Sequence, residues 1–477
     1  MSFIGRQREL EELRTLFSTV QRGTRADKGI AVLLRGRRRV GKSRLVTEFI
    51  EQAHAPHVYF QAARHAPAQQ ELTDLLHAVT HSSVPDTTLA QDSNPQTLTA
   101  ALTLLATTLP DDTPSIVVLD EAPWLLENFP SGAGELQRVW DRALSRKPVL
   151  LLLLGSDLSA MEQLNAPDQP FHDRATEMVL QPLNPAEVAT MTGTHGSEAF
   201  DAHLITGGQP LVAQEWEKGM SVNDFLTTSY QRPTSALVVS GTRVLHGEIS
   251  STSTDHDVLL AVGAQGERTF TAIQRAGADG GFPSATLSQS LHRLTGRRLL
   301  AVDEPLSTRT TSKLRRFRIA DPSLRYWLAF VQTSLPDIDR GRPDLALARH
   351  QQNYSSWRGR AIEPLIREAL SRLLPNDDWP HVREIGGWWP RSNTPEIDII
   401  GTDSRPASHI MFAGTIKWRD DQPLTARDAR SLSAAVTAVP GAISETPLVG
   451  VTAGHAETDA DFARIWNAEE LLTAWTG

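Results

Sequence analysis

One octet constrains this chain more than any other feature of its sequence. Residues 36–43 read Gly-Arg-Arg-Arg-Val-Gly-Lys-Ser and match the pattern G-x-x-x-x-G-K-[ST] without departure. A short apolar run at residues 30–34 precedes the octet, and residues 43–53 carry apolar side chains at helical spacing. Strand, glycine-rich loop and helix in this order predict a phosphate-binding P-loop, because the glycines let backbone N–H groups point at the phosphates. The alternative is a chance glycine turn.

The P-loop pattern gives its side chains separate tasks. Lys42 is expected to reach the β- and γ-phosphates of ATP, and the Ser43 hydroxyl to ligate Mg²⁺. ATP and Mg²⁺ are therefore the expected cofactors. The cofactor-binding residues predicted in and beside the loop are Gly36, Arg39, Val40, Gly41, Lys42, Ser43 and Arg44. The arginines of this segment form either a basic rim around the phosphates or a contact for nucleic acid.

A second apolar run, at residues 116–119, ends in two acids, Asp120 and Glu121. A carboxylate at the end of a buried strand beside a P-loop can hold the Mg²⁺ shell, which is the role expected of Asp120 together with Ser43. Glu121 is expected to polarise the attacking water. The alternative is a strand-ending acid that only caps a helix.

Two further residues are candidates for the catalytic machinery. Ser156 follows the apolar run 149–154 and Gly155, where a small polar side chain can sense the γ-phosphate or the water. Arg174 precedes the next predicted strand and can supply charge to the transition state, in cis or to a neighbouring subunit of a homo-oligomer. An ordinary turn and a plain surface arginine are the respective alternatives.

Composition narrows the class of protein. The 477 residues predict roughly three or four domains. The chain has no cysteine, which excludes disulfides, thiolate zinc sites and cysteine nucleophiles. The net charge of −9 argues against a protein that coats nucleic acid everywhere, but it allows a local basic surface. Because no apolar run has the length of a signal peptide or a membrane span, we expect a cytoplasmic protein with no membrane contact.

Several segments resemble a known family, the archaeal-type and STAND-related ATPases of the AAA+ superfamily. Residues 3–10 (Phe-Ile-Gly-Arg-Gln-Arg-Glu-Leu) resemble its "F-x-G-R-x-x-E-L" opening, which implies that Ile4, Gly5 and Arg6 line the adenine pocket. Residues 120–125 resemble its Walker B extension, and residues 171–175 its "P-L-Y-G-R-A", with only the arginine and alanine clearly kept. Residues 206–210 resemble the "T-G-G-x-P" turn of the helical lid, which implies a cofactor contact for Pro210.

Residues 255–321 have the element order of a winged helix-turn-helix. Apolar residues at helical spacing predict three short helices, and two strand-like runs follow them. The third helix would start at residues 284–286 and expose Gln289, His292 and Arg293. The cations of the wing region, which can meet DNA phosphates, are Arg309, Lys313, Arg315, Arg316 and Arg318. The alternative is a rigid spacer or a protein-contact module.

The last segment resembles the PD-(D/E)xK nuclease fold. The resemblance implies that Glu363 on a helix and Asp398 on a strand hold a metal, and that Lys417 on the next strand positions the water. The acid that this fold carries two residues before the lysine is Thr415 here, whose hydroxyl cannot supply the missing charge. Glu396 alternates onto the face of Asp398 and is a possible substitute. The alternatives are active cleavage and a degenerate domain kept for structure or DNA contact.

Together these patterns predict an α/β protein. Its expected parts are an AAA+-like P-loop NTPase parallel sheet (residues 1–183), a helical lid (184–248), a winged helix-turn-helix (249–335) and a C-terminal α/β restriction-endonuclease-like domain (345–477). The leading hypothesis is a Mg²⁺-dependent, ATP-hydrolysing molecular switch with a degenerate nuclease-like domain, acting on double-stranded DNA. The alternatives are an ATP-regulated, Mg²⁺-dependent DNA endonuclease and a DNA-binding transcriptional regulator with slow ATPase.

Overall fold

The computed structural model describes residues 3–23, 28–249, 253–277, 280–309, 314–457 and 460–476. The chain divides into two compact units, residues 1–182 and residues 183–477. In the described residues, no helix combines the length and the apolar character needed to cross a membrane.

The first unit is built on a five-stranded, all-parallel sheet with the strand order β2-β3-β4-β1-β5. Its strands are β1 (Ile30–Arg35), β2 (His57–Gln61), β3 (Ser115–Asp120), β4 (Val149–Gly155) and β5 (Ala175–Val179). Every residue of β1, β3 and β4 is buried. Continuous apolar strands of this kind are typical of a sheet covered on both faces.

Helices cover both faces of this sheet. They are α1 (Gln7–Arg22), α2 (Lys42–Ala53), α3 (Ala68–Thr80), α4 (Thr88–Gln91), α5 (Leu98–Thr108), α6 (Ala122–Glu127), α7 (Gly132–Arg142) and α8 (Leu158–Leu164), with a 3₁₀ turn at Leu144–Arg146. Strand alternation sends Val32 and Leu34 into the core with α1 and α2, and Ala31 and Leu33 into the core with α3, α5 and α7. The predicted P-loop NTPase fold is confirmed.

The second unit begins with five helices. These are α9 (Pro185–Thr192), α10 (Gly196–Thr206), α11 (Pro210–Ala213), α12 (Val222–Tyr230) and α13 (Ala236–Glu248). Asn184 and Glu187 form a reciprocal capping box that starts α9. The segment is all-helical, as the sequence predicts for a lid.

Three helices and a small antiparallel sheet follow. They are α14 (Thr254–Val262), β6 (Arg268–Thr269), α15 (Phe270–Arg275), α16 (Ser284–Gly296), β7 (Leu300–Asp303) and β8 (Arg316–Ile319). The strands pair in the order β6-β8-β7. This is the element order of a winged helix-turn-helix. Lys313, predicted as a wing cation, lies outside the described residues.

A helical stretch leads on to the last sheet. It consists of α17 (Pro322–Tyr326), a π-helical turn at Trp327–Val331, a 3₁₀ turn at Gln332–Ser334, α18 (Leu335–Asp339) and α19 (Pro343–Ala361). One apolar core runs from the lid helices through this stretch into the C-terminal segment, so the second unit is continuous.

The C-terminal segment is a mixed α/β sheet with the strand order β13-β12-β11-β10-β9. Its elements are α20 (Glu363–Leu373), β9 (Glu384–Trp388), β10 (Ile397–Thr402), β11 (Ile410–Lys417), α21 (Ala426–Val436), β12 (Leu448–Thr452), β13 (Arg464–Trp466), α22 (Ala468–Leu472) and a 3₁₀ turn at Thr473–Trp475. The strands β9, β10 and β11 are antiparallel, whereas β11, β12 and β13 are parallel. The predicted C-terminal α/β domain is confirmed.

Candidate functional site

The octet at residues 36–43 runs from the end of β1 into the first turn of α2. A side chain at Gly36 would place its Cβ 2.7 Å from the carbonyl oxygen of Leu180, so only glycine fits there. Gly41 has a φ of 97°, a backbone conformation that side chains disfavour. The two glycines that define the motif are therefore both required by the backbone of the loop.

Lys42 folds back across this loop. Its ammonium group donates hydrogen bonds to the carbonyl oxygens of Gly36, at 2.7 Å, and Arg37, at 3.2 Å. The residue is buried, and burial lowers the pKa of Lys42 while the carboxylates of Glu121 and Asp120 partly oppose that change. A buried ammonium that is held by backbone carbonyl oxygens is suited to bind a phosphate oxygen.

Asp120 accepts hydrogen bonds from neighbouring residues of the expected metal site. Its Oδ2 accepts hydrogen bonds from the Ser43 hydroxyl and the Tyr59 hydroxyl, each at 2.7 Å, and its Oδ1 accepts one from the backbone N–H of Glu121. Asp120 is only 2% exposed. A hydroxyl and a carboxylate in contact are the hard oxygen ligands that Mg²⁺ prefers, so this donor set fits the ion.

Tyr59 is the site residue that the sequence did not single out. It lies on β2, whose neighbour in the sheet is β3. Burial and the negative charge of Asp120 raise the pKa of Tyr59 above its ordinary value, so its hydroxyl stays protonated and donates. The only signal in the sequence was a polar-tipped aromatic residue between Val58 and Phe60, both of which are buried.

Glu121 and Ser156 come together at the ends of adjacent strands. A carboxylate oxygen of Glu121 accepts hydrogen bonds from the Ser156 backbone N–H, at 3.1 Å, and from its hydroxyl, at 2.9 Å. Glu121 itself adopts a φ of 54°, uncommon for a residue with a side chain. The structure therefore directs the Glu121 carboxylate toward β4, with Ser156 as its partner.

The N-terminal opening lies against the P-loop. The Arg6 guanidinium is buried and donates to the carbonyl oxygen of Val40, at 3.0 Å, and also contacts Glu9. The Arg44 guanidinium lies 5.9 Å from the ring centre of Phe3. Ile4 and Gly5, between Phe3 and Arg6 in the chain, are half-buried. The N-terminal motif and the P-loop segment are thus in contact.

Arg174 has partners within the first unit. Its guanidinium donates to both carboxylate oxygens of Asp141 on α7, at 2.8 and 3.0 Å, and to the carbonyl oxygen of His172. The hydrogen bonds that Arg174 donates to Asp141 raise the pKa of Arg174. A role in the same site would require the Asp141 pair to open. Pro210, the predicted lid contact, begins α11 in the second unit.

The predicted nuclease-like residues occupy α20, β10 and β11. Asp398 Oδ2 accepts hydrogen bonds from the Thr415 hydroxyl, at 3.0 Å, and from the backbone N–H of Ile416, at 2.8 Å. Lys417 ends β11 and is half-buried. The threonine that replaces the expected acid thus holds the carboxylate of Asp398 instead of adding a second charge beside it.

An arginine that the sequence reasoning missed fills the space beside these acids. Arg367 donates to Glu363, at 3.0 Å, and to the carbonyl oxygen of Asp398, at 2.9 Å, and it lies 3.9 Å from Glu267 of the winged helix. Burial raises the pKa of Glu363 to about 8, although Arg367 opposes that rise. An acid that is already paired with a guanidinium is a poor metal ligand. Within the described ranges, no three His, Asp or Glu side chains are grouped to hold a metal.

Three of the wing arginines are already paired. The Arg316 guanidinium is buried, binds Glu396 at 2.5 Å and Glu267 at 3.4 Å, and lies 4.1 Å from the ring centre of Trp389. Arg318 pairs with Asp303 and Arg315 with Glu304. Arg316, a predicted wing cation, and Glu396, the predicted substitute for a metal ligand, thus pair with each other.

The third helix of the winged helix has an exposed face. Gln289 and His292 on α16 are exposed, as expected. Arg293, expected beside them, forms two hydrogen bonds to Asp255 on α14, at 3.0 and 2.6 Å. The Arg293 side chain is also exposed, with its charge paired to Asp255.

Two family models match separate parts of the chain. Residues 2–153 match the family model described as an AAA ATPase domain, and residues 327–432 match one described as archaeal and bacterial proteins of unknown function. An uncharacterized protein of Methanocaldococcus jannaschii is 23% identical over 405 residues, which are 84% of this chain and 85% of the relative.

Two solved structures have similar chains. A Walker-type ATPase of Pyrococcus abyssi is 18% identical with a TM-score of 0.46, and the match covers 68% of this chain and 96% of that one. The ORC2 protein of Aeropyrum pernix is 14% identical with a TM-score of 0.44, and the match covers 73% of this chain and 95% of that one.

Proposed function

Because residues 2–153 form an AAA ATPase domain, we propose that this protein is a Mg²⁺-dependent ATPase that works as a molecular switch. The observation that carries the proposal is the contact of Ser43 with Asp120 beside the buried ammonium of Lys42. A phosphate ligand, a metal ligand and an acid that follows a buried strand are the three parts that phosphoryl transfer requires.

We assign the remaining nucleotide contacts from the geometry of the first unit. Lys42 and the backbone N–H groups of the P-loop hold the phosphates, and Ser43 with Asp120 holds Mg²⁺, which when bound neutralises developing charge on those phosphates. Ile4, Gly5 and Arg6 form the wall for the adenine, supported by the hydrogen bond from Arg6 to the P-loop. We propose Pro210 as the residue of the helical lid that contacts the nucleotide.

Glu121 is the proposed base, and Ser156 is the group that orients it. Both hydrogen bonds from Ser156 reach Oε2 of Glu121 and fix the direction of the carboxylate, so that its other oxygen, Oε1, can accept a proton from a water. Arg174 is proposed to supply charge to the transition state after leaving Asp141, in cis or to a second copy in a homo-oligomer.

We propose that the second unit carries the output of the switch and that its target is double-stranded DNA. The exposed face of α16, with Gln289 and His292, supports this target, because side chains of this kind read base edges in the major groove. The nuclease-like segment is proposed to be degenerate, with a structural role. The pairing of Arg367 with Glu363, and of Thr415 with Asp398, supports that assignment.

The test is an ATPase assay on the full chain, with and without duplex DNA. Lys42→Ala is expected to abolish turnover, whereas Lys28→Ala, a change at an exposed lysine of the same unit, should leave it intact. Normal turnover in Lys42→Ala would refute the central proposal. Stimulation by duplex DNA would support the DNA target.

A second candidate function is a DNA-binding regulator with slow ATPase, and the exposed helix α16 favours it over a nuclease. Supercoiled plasmid incubated with protein, Mg²⁺ and ATP tests the distinction. We expect no cleavage. Cleavage that disappears in both Asp398→Ala and Lys417→Ala would instead establish the ATP-regulated endonuclease.

A further inference from the structure

Arg325 is a buried cation that lines a cavity in the second unit. It lies on α17, is 4% exposed, and borders a cavity of about 270 Å³. Its Nε donates to the carbonyl oxygen of Ala264, at 3.3 Å. Among the described residues, no carboxylate lies within 4.0 Å of the Arg325 guanidinium, so the cation has no direct counter-ion there.

Other buried arginines of the second unit have carboxylates in contact. Arg316 binds Glu396, Arg358 binds Asp420 and Arg367 binds Glu363. An unpaired buried charge costs several kcal/mol, because the protein interior replaces water poorly. Arg325 therefore differs from these three arginines, each of which has a carboxylate in contact.

The charges around Arg325 do not offset the free-energy cost of burying its charged guanidinium. Burial and the positive charge of Arg318 lower the pKa of Arg325 to about 10, and the more distant acids Glu267, Glu363 and Asp303 only partly oppose that change. Arg318 lines the same cavity and pairs with Asp303 on its other side. The acid that lines the cavity, Glu368, pairs with Arg372.

The remaining walls of the cavity are apolar. They include Leu204 of α10, Ile319 of β8, Trp357 and Ala361 of α19, and Leu365 of α20. A guanidinium presents a planar fork of donors that matches a carboxylate. The cavity thus combines a recognition group for a carboxylate with a surface for a compact hydrocarbon body, and its volume is close to the lower end of ligand pockets, roughly 300 Å³.

We propose that this cavity binds a small organic carboxylate with a compact apolar body. The carboxylate pairs with Arg325, with Arg318 nearby, and the body packs against Leu204, Trp357 and Leu365. Because these residues come from the lid helix α10, the helical connection and the C-terminal segment, a bound molecule contacts all three parts of the unit. The site is separate from the nucleotide site, so its occupancy does not depend on the proposed ATPase activity.

Benzoate is the probe, and thermal unfolding of the full chain without nucleotide is the measurement. A ligand that binds only the folded state raises the unfolding temperature. Benzoate should raise it in the unmodified protein, whereas benzamide, which lacks the charge, and phosphate, which lacks the apolar body, should not at equal concentration. Arg325→Met should weaken benzoate binding roughly tenfold or more. Arg342→Met, at an exposed arginine, should leave it unchanged.

Ala361→Leu keeps the test decisive if Arg325→Met fails to fold, because it fills the cavity without removing a charge. This variant should also lose the benzoate effect. The proposal is overturned if benzoate has no effect on the unmodified protein, or if its effect persists in a folded Arg325→Met or Ala361→Leu protein. An equal effect of benzamide or phosphate would overturn the assigned ligand class.

Discussion

The hydroxyl of Tyr59 donates a 2.7 Å hydrogen bond to the same oxygen of Asp120 that accepts a hydrogen bond from Ser43. The carboxylate of Asp120 is thus held from two sides, by a residue of the P-loop helix and by a residue of the adjacent strand β2. If Ser43 turns to ligate Mg²⁺, the bond from Tyr59 keeps Asp120 in place. Tyr59 therefore positions Asp120, the proposed metal ligand.

Tyr59→Phe removes this bond and keeps the ring. We expect the Mg²⁺ concentration for half-maximal ATPase activity to rise by about tenfold, because a hydrogen bond to a charged group contributes roughly 1.5–3 kcal/mol. Binding of a fluorescent ADP analogue in EDTA should not change, since it does not need the metal. An unchanged Mg²⁺ requirement, or weaker binding in EDTA, would contradict the positioning role.

Glu121→Gln keeps the shape of the proposed base and removes its charge. Turnover should fall by roughly 10²–10⁴, the usual contribution of a general base, while ATP binding is retained. Ser156→Ala removes the hydroxyl hydrogen bond to Glu121 but keeps the one from the backbone N–H, and it should change turnover less than Glu121→Gln does. Measurements of turnover and of nucleotide affinity separate the two effects. If Glu121→Gln turns over ATP normally, Glu121 is only a strand-ending acid.

The sequence was sufficient to predict the contact between Ser43 and Asp120. The carboxyl ends of parallel strands lie at one edge of a sheet, so a P-loop and an acid that each follow an apolar strand are brought together. The contact between Tyr59 and Asp120 could not be predicted in this way. It depends on β2 being the neighbour of β3, and strand order is set by how the helices pack rather than by any local pattern.

The second unit shows a different limit to what the sequence alone can predict. The sequence predicts that the arginines of the wing can meet DNA phosphates, because a local cluster of cations has that meaning when the cations are exposed. Arg316 instead forms an ion pair with Glu396, which lies eighty positions away in the chain. Arg367 likewise lies near Glu267, which belongs to the winged helix. Such pairs depend on how the winged helix packs against the C-terminal sheet, and charge patterning along a sequence contains no information on that packing.

Arg316 is therefore expected to stabilise the fold rather than to bind DNA. Arg316→Gln leaves Glu396 without this partner, removes one of the two arginines beside Glu267, and should lower the free energy of unfolding by roughly 3 kcal/mol. Arg315→Gln, at an exposed arginine of the same segment, should change it by less than about 0.5 kcal/mol. Urea titrations of both variants test the difference. Equal stability of the two variants would refute the structural role of Arg316.

Two buried histidines predict how the second unit responds to acid. Burial lowers the pKa of His203 and of His350, each to about 4. A ring nitrogen of His203 lies 3.1 Å from the carbonyl oxygen of Leu183, and one of His350 lies 3.0 Å from the hydroxyl of Tyr326. Both rings are therefore neutral in the folded protein at pH values where an unfolded histidine, with a pKa of about 6.5, takes up a proton.

The sign of the pH effect follows from these pKa values. Between about pH 6.5 and pH 4 each of these two rings binds a proton only in the unfolded state, so the contribution of each histidine to the unfolding free energy falls as the pH is lowered, by up to about 1.4 kcal/mol per pH unit. Tryptophan fluorescence reports mainly on this unit, because only Trp124 and Trp140 of the eleven tryptophans lie in the first unit. In urea titrations at pH 7, 6 and 5, the unfolding free energy of His203→Gln should lose less on acidification than that of the unmodified protein, by the share of one group. His54→Gln, a change at a residue of the first unit, should leave this loss unaltered; a loss that His203→Gln does not change would contradict the assignment.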